Sequence, residues 1–125
     1  MKYSLKITQD ADGESNISFA EADGAVAKDG SAEFTYNFDG AEYRLLLSRD
    51  KMTHIRLGGI WLEMNFERGK KSVCRLSDGS NAGSFCIFTD VLCVQFNGAV
   101  VTAECTFSDG ADGGDTRISV LATPV

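Results

Sequence analysis

The sequence predicts an all-β protein, and the architecture that fits it best is a single antiparallel up-and-down β-barrel of about eight to ten strands. Turn dipeptides recur along the chain, and the short segments between them alternate apolar and polar residues. No long segment joins a helical period to a capping signal, so we expect essentially no helix. A β-sandwich would also hide its sheet edges, but mostly sequential hairpins favour the barrel.

Asp-Gly pairs mark the turns, because Asp and Gly both tolerate the positive φ of a tight hairpin. These pairs begin at Asp12, Asp23, Asp29, Asp39, Asp78, Asp109 and Asp112. Asn97-Gly98 is a further pair of the same kind. The sequence shows no linker, internal repeat or shift in composition, so residues 1–125 are expected to form one domain.

The first strand alternates, with Leu5 and Ile7 on its apolar face. A loop over residues 10–14 would place Ile7 opposite Ile17 and Leu5 opposite Phe19. We therefore expect Ile17 and Phe19 to face the interior.

The Asp39-Gly40 turn joins two strands whose apolar faces agree with each other. A two-residue turn here sets Tyr36 opposite Tyr43 and Phe34 opposite Leu45. Both tyrosines are thus predicted inside the barrel, where buried hydroxyl groups need hydrogen-bond partners. Tyr36 and Tyr43 are the candidate ligand-binding residues.

The next hairpin alternates on both of its strands. Ile55 and Leu57 are predicted inside, which turns His54 outward as a solvated surface histidine. The inner face of the following strand is predicted to comprise Ile60, Leu62, Met64 and Phe66. Trp61 alternates with that face and is predicted outward, where it is the candidate residue for an interaction surface.

The last third of the chain predicts two further hairpins and a closing strand. Segments 73–76 and 85–89 flank a polar loop over residues 77–83. The Asn97-Gly98 turn would set Phe96 opposite Ala99, Val94 opposite Val101 and Leu92 opposite Ala103. Residues 117–122 form the closing strand, with Ile118 and Val120 on one side.

The four cysteines lack the Cys-x-x-Cys spacing typical of zinc sites, so no metal site is predicted. A hairpin symmetric about Ser80 would bring Cys74 opposite Cys86, and whether these two can form a disulfide stays open. Cys93 and Cys105 are out of register on their hairpin. Reduced cysteines acting as small core hydrophobes are the expectation.

The charge and the absence of signals exclude several functions. A net charge of −6 opposes binding to phosphate backbones, so nucleic acid is not an expected partner. No apolar run is long enough to cross a bilayer, and the N-terminus alternates instead of forming a secretion signal, so we expect a cytoplasmic protein with no membrane partner. His54 is the single histidine, and no motif supplies it with a nucleophile or an acid. No catalytic residue and no cofactor are therefore predicted.

Several short motifs along the chain match those of a known family. They are Tyr36 near a strand end, Arg56-Leu57-Gly58 before a turn, Phe66-Glu67-Arg68-Gly69 closing the next strand, and Thr89 before the last hairpins. In this order they resemble the YwiB-like family of small uncharacterised bacterial proteins with calycin-like β-barrels. The resemblance implies a lipocalin-like closed barrel in a bacterial protein, with an unassigned function and no catalytic residues.

Two functions follow from these expectations, and neither requires catalysis. The first is the binding of a small ligand in or at the mouth of the barrel, held by Tyr36 and Tyr43. A barrel of this kind holds one small molecule unless side chains fill it. The alternative is a structural or protein-interaction module with a filled interior, which forms a homodimer or binds a partner through outward apolar residues such as Trp61.

Overall fold

The computed structural model describes residues 1–109 and 114–125, and within these residues the chain forms ten strands and no helix. The strands are β1 (Lys2–Ala11), β2 (Glu14–Val26), β3 (Ala32–Phe38), β4 (Ala41–Leu47), β5 (Lys51–Leu57), β6 (Trp61–Glu67), β7 (Lys71–Ser77), β8 (Ala82–Asn97), β9 (Val100–Ser108) and β10 (Thr116–Pro124). Each strand pairs with the next along the chain, and β10 pairs with β1, so the sheet is a closed antiparallel up-and-down barrel. The predicted fold class is confirmed, and the sandwich is excluded.

The β3–β4 hairpin has the predicted register. Tyr36 lies opposite Tyr43, and Phe34 lies opposite Leu45. The turn residues Asp39 and Gly40 have φ values of 52° and 81°, the positive values that a two-residue turn of this kind requires.

The β1–β2 hairpin differs from the prediction by one residue. Asp12 and Gly13 have positive φ and form a two-residue turn, so Ile7 lies opposite Ser18 and not Ile17. A slip of one residue moves every side chain to the other face. Ile17 and Phe19 therefore face outward, with 54% and 67% of their surface exposed, and the prediction that they lie inside is wrong.

The Asp23-Gly24 pair lies within β2 and does not form a turn. Gly24 pairs with Phe34, and a Cβ atom at Gly24 would come within 2.6 Å of ring carbons of both Tyr3 and Phe34. The glycine is therefore explained by close packing inside the barrel. The Asp112-Gly113 pair and Gly110 lie outside the described residues.

The faces of β5 are the reverse of those predicted. Leu47 is the last residue of β4 and is buried. It pairs with Met52, which pairs in turn with Phe66 of β6. Met52 is buried, and alternation then turns His54 inward as well. The predictions that Ile55 and Leu57 face inward and that His54 is a surface residue are wrong. Leu62, Met64 and Phe66 do line the inside of β6, whereas Ile60 lies in the preceding turn and is exposed.

The β8–β9 hairpin keeps its predicted inner face, but its partners are shifted by two residues. Gly98 and Ala99 form the turn, so Phe96 lies opposite Val101 and Val94 lies opposite Ala103. A shift of two leaves the facing unchanged. β8 is one strand of 16 residues. It includes both the predicted segment 85–89 and the strand predicted before the Asn97-Gly98 turn, with a bulge between Thr89 and Val91.

The cysteine pair of the β7–β8 hairpin is adjacent but does not share a face. Cys74 lies opposite Phe85, and Cys86 lies opposite Val73. Cys74 is buried and Cys86 is exposed, so the two thiols are on opposite sides of the sheet. A hairpin with Cys74 opposite Cys86 is therefore wrong. Cys93 and Cys105 are out of register as expected, since they pair with Glu104 and Leu92.

The core fills most of the barrel interior. Its fully buried large side chains come from strands all round the barrel, and they include Tyr3, Leu5, Phe34, Met52, Phe66, Ile87, Leu92 and Val101. At about 25 cal/mol per Å² of buried apolar surface, these side chains dominate the favourable free energy of folding. The space that remains lies near the end of the barrel that carries the Asp12-Gly13 and Asp39-Gly40 turns, which we call the mouth.

Candidate functional site

A cavity of about 160 Å³ opens inside the barrel at the mouth. It lies where β2 and β3 stop pairing, beyond the last matched residues Ala22 and Tyr36. The side chains that line it come from five consecutive strands and are Ile7, Gln9, Ser18, Ala20, Tyr36, Phe38, Tyr43 and His54. The cavity therefore combines apolar walls with a few polar groups, as small-molecule sites do.

Three nearly parallel rings form one wall of the cavity. The ring centroids of Tyr36 and Tyr43 are 5.2 Å apart with 11° between their planes. His54 stacks on the same side, with its ring 5.4 Å from that of Tyr43 and 6.2 Å from that of Tyr36. Neighbouring inner positions on β3, β4 and β5 produce this stack, because side chains that face one side of adjacent strands lie within ring contact.

A hydrogen bond of 2.7 Å joins the Tyr36 hydroxyl to Nε2 of His54. Burial lowers the pKa of His54 to about 4, so the imidazole is neutral at pH 7. Burial also raises the pKa of Tyr36 well above its usual value, with a smaller contribution from Tyr43. The pair therefore carries no charge at neutral pH, and either partner can donate the shared proton, depending on the tautomer of the imidazole.

Gln9 and Ser18 bring further hydrogen-bonding groups to the opposite wall. They lie on the β1–β2 hairpin, which extends past the end of β3, and they line the same cavity as the two tyrosines. An amide and a hydroxyl can each donate and accept. The cavity thus presents polar groups on both of its walls.

Arg56 lies on β5, next to the cavity wall. It lies opposite Tyr43 in the β4–β5 pairing and shares the inner face with His54, two residues away. Its Nε atom is buried and makes no hydrogen bond to the described residues. The sequence analysis missed Arg56, because β5 was predicted with its other face inside.

Trp61 lies on the outer face of β6, opposite Ser77, as its alternation predicts. It is partly buried there. Leu46, Phe88 and Leu121 are exposed apolar residues on β4, β8 and β10. A role of Trp61 in forming a homodimer stays a prediction.

A second depression of about 670 Å³ lies at the opposite end of the barrel. Arg49, Asp50 and Arg68 line it together with successive residues of β8, from Leu92 to Asn97. Because successive residues of a strand point to alternate faces, both faces of β8 contribute to the lining of this depression. The mouth cavity is the one that brings the predicted residues Tyr36 and Tyr43 together.

A solved structure has a fold similar to that of this barrel. The fold resembles that of YwiB. The crystal structure of YwiB from Bacillus subtilis superimposes with a TM-score of 0.73, at 10% sequence identity, over 99% of this chain and 90% of the YwiB chain. At this identity the likeness to YwiB shows the fold alone.

Sequence comparison gives no relative. No protein-family model matches the chain, and no curated protein matches its sequence. The described residues contain no helix that could span a membrane.

The site was predictable in part. The Asp39-Gly40 turn was enough to bring Tyr36 and Tyr43 together. His54 and Arg56 were missed because β5 has apolar residues on both faces, so its pattern alone does not decide which face is inside. The available signal was the following hairpin: once Leu62 is placed inside, its partner Arg56 must lie inside as well.

Proposed function

We propose that this protein is a binding protein, without catalytic activity, for a small planar molecule held at the mouth of the barrel. The stack of Tyr36, Tyr43 and His54 against an open cavity is the observation that carries the proposal. A planar ligand can pack on or beside such rings, and aromatic pairs contribute about 0.5–1.5 kcal/mol beyond the area that they bury.

The size of the cavity limits the ligand to about one ring. An apolar cavity of about 150 Å³ is known to hold benzene, and this one measures about 160 Å³. Its opening toward solvent lets one substituent extend outward. A larger ligand would have to displace the β1–β2 hairpin.

The state of His54 favours binding over catalysis. A general base works best with a pKa near the operating pH, whereas burial lowers that of His54 to about 4. Its hydrogen bond goes to a tyrosine and not to a carboxylate that would orient it. The imidazole is suited to orient the Tyr36 hydroxyl toward a ligand.

The closed up-and-down barrel with a cavity at its mouth also supports assignment to the calycin class, which we include in the proposal. Exposed thiols at Cys86 and Cys93 fit a reducing compartment, so we propose that the protein is cytoplasmic.

Benzamide is a suitable neutral probe, since it offers one ring and one amide. We expect saturable shifts of the backbone amides around Tyr36, Tyr43 and Gln9 on titration, with a Kd of about 1 mM or tighter. Ala20→Phe, which fills the cavity, should abolish these shifts. Ala25→Phe, on the exposed outer face of the same strand, is the matched control and should leave them unchanged.

Two results would contradict the proposal. One is the absence of saturable shifts in the wild-type protein. The other is equal binding by wild type and Ala20→Phe, which would place the probe elsewhere. Native mass spectrometry of the gently purified protein adds an independent test, because a retained ligand appears as extra mass above 13.5 kDa and is lost on denaturation.

A further inference from the structure

Arg56 is a cation on the inner wall of the barrel. In the described strands, two charged residues occupy inward-facing positions, Arg56 and Glu14. Glu14 lies at the exposed tip of the β1–β2 hairpin, so Arg56 is the one that lies within the barrel. Glu14 is eight residues from Ala22, which is level with Tyr36, and eight residues of strand span about 27 Å. Glu14 is therefore too far away to pair with Arg56.

The strands beside Arg56 supply no acid to it. Glu42 on β4 pairs with Leu57 and faces outward. Glu63 on β6 also faces outward, where it forms an ion pair with Arg75 at 3.5 Å. Within residues 1–109 and 114–125, no ion pair or side-chain hydrogen bond involves the guanidinium of Arg56.

An unpaired, partly buried cation is costly unless something compensates it. The guanidinium presents donors in a planar fork that matches a carboxylate in two parallel hydrogen bonds. The inner wall therefore carries a donor group with no acceptor in the described part of the chain, directly beside the stacked rings of the cavity.

We propose that the ligand of the mouth cavity is a small aromatic carboxylate, whose ring packs against Tyr43 and His54 and whose carboxylate accepts hydrogen bonds from Arg56. This assignment rests on the proposed binding function and names the class of ligand. The ring occupies the cavity, and the carboxylate lies at its edge, where Arg56 follows Tyr43 and His54. The overall charge of −6 makes this local cation the feature that would attract an anion to the mouth.

The test compares benzoate with benzamide, which has nearly the same shape but no charge. For the wild-type protein we expect benzoate to bind at least about tenfold more tightly than benzamide, in line with the greater strength of charge-assisted hydrogen bonds. Arg56→Gln should reduce this preference to about twofold or less. Arg44→Gln removes the same charge from the outer face of the adjacent strand and should retain the full preference.

Salt provides a second measurement. Raising the NaCl concentration should weaken the binding of benzoate and leave that of benzamide unchanged, because only the former depends on charge. Arg56→Gln is expected to fold, since it removes an uncompensated charge. If it does not, Arg56→Lys keeps the charge, loses the fork and should show an intermediate preference.

The outcomes separate this inference from the binding function. Equal binding of the two probes to wild type overturns the carboxylate assignment and leaves the binding function standing. A preference for benzoate that survives in Arg56→Gln overturns the role of Arg56. Failure of both probes to bind the wild-type protein overturns the carboxylate assignment together with the proposed function.

Discussion

His54 is a titratable residue whose protonation opposes folding. Its folded-state pKa of about 4 lies below its ordinary value of 6.5, so the unfolded chain binds the proton more readily. The stability that comes from keeping the imidazole neutral is fully present above pH 6.5 and is lost as the pH falls toward 4. The difference amounts to about 3 kcal/mol at pH 4.

We predict that wild type loses about 3 kcal/mol more stability than His54→Phe when the pH falls from 7 to 4. The variant keeps a ring of similar size in the stack but does not titrate. Urea unfolding at the two pH values measures both free energies, and subtracting them cancels the effect of the carboxylates that titrate in both proteins. Parallel pH dependence would mean that His54 is protonated as easily in the folded protein as in the unfolded chain.

Single residues show why part of the site escaped sequence analysis. The inward positions of Tyr36 and Tyr43 follow from one short turn, and local turn chemistry is legible in a sequence. Those of His54 and Arg56 follow from pairing on both sides of β5, because Leu47 fixes Met52 and Leu62 fixes Arg56. Tertiary pairing, and not hydrophobicity along the strand, decides which face of such a strand is inside.

At the level of the strands, close packing constrains β2 at Gly24. The φ angle here is ordinary, so the constraint is one of space: the rings of Tyr3 and Phe34, themselves 5.0 Å apart, occupy the volume that a side chain would need. Buried rings in a closed barrel have little room to move.

We predict that Gly24→Ala destabilises the protein by about 1–3 kcal/mol, the usual cost of overpacking a core. Gly83→Ala is the matched control, because Gly83 also lies in a strand with ordinary φ but has nothing within 4 Å of its missing Cβ atom. Thermal or urea unfolding of both variants measures the difference. Equal stability of the two variants would show that the rings shift without cost.

The strands were largely predictable, but their registers were less so. The alternating patterns located the hairpins, and type I′ chemistry gave the β3–β4 register correctly. The β1–β2 register failed because Ile17 and Phe19 were assumed to be buried, whereas the Asp12-Gly13 turn places them outside. The Gly98-Ala99 turn of the β8–β9 hairpin shifted the partners without changing the face.

Across the whole molecule, barrel closure brings the two ends of the chain together. Tyr3 lies opposite Pro124, and the Val125 amide donates to the carbonyl of Lys2 at 3.0 Å. These contacts join residues that are far apart in sequence, which is typical of folds with slow folding kinetics. A short linker could join residue 125 to residue 1 as an ordinary hairpin connection.

We predict that a circular permutant with this linker, opened between Asp78 and Gly79, keeps the cooperative unfolding of wild type. The opening lies in the exposed β7–β8 turn, where new termini are well tolerated. The matched permutant is opened between Asp90 and Val91. This opening divides β8, the strand that pairs with both β7 and β9. It should lose cooperative unfolding as followed by circular dichroism. A well-folded second permutant would show that the two halves of β8 act as independent strands.

The β2–β3 pairing covers only residues 22–26 of β2, and this affects the tendency of the protein to aggregate. Residues 14–21 of β2 pair with β1 on one side, while their other edge has no strand beside it among the described residues. An open edge carrying exposed Ile17 and Phe19 is a template for aggregation. Two copies that paired this whole edge antiparallel would set Glu14 of each opposite Glu21 of the other, at both ends. Repulsion between these like charges opposes such pairing and acts as a gatekeeper against edge-to-edge aggregation.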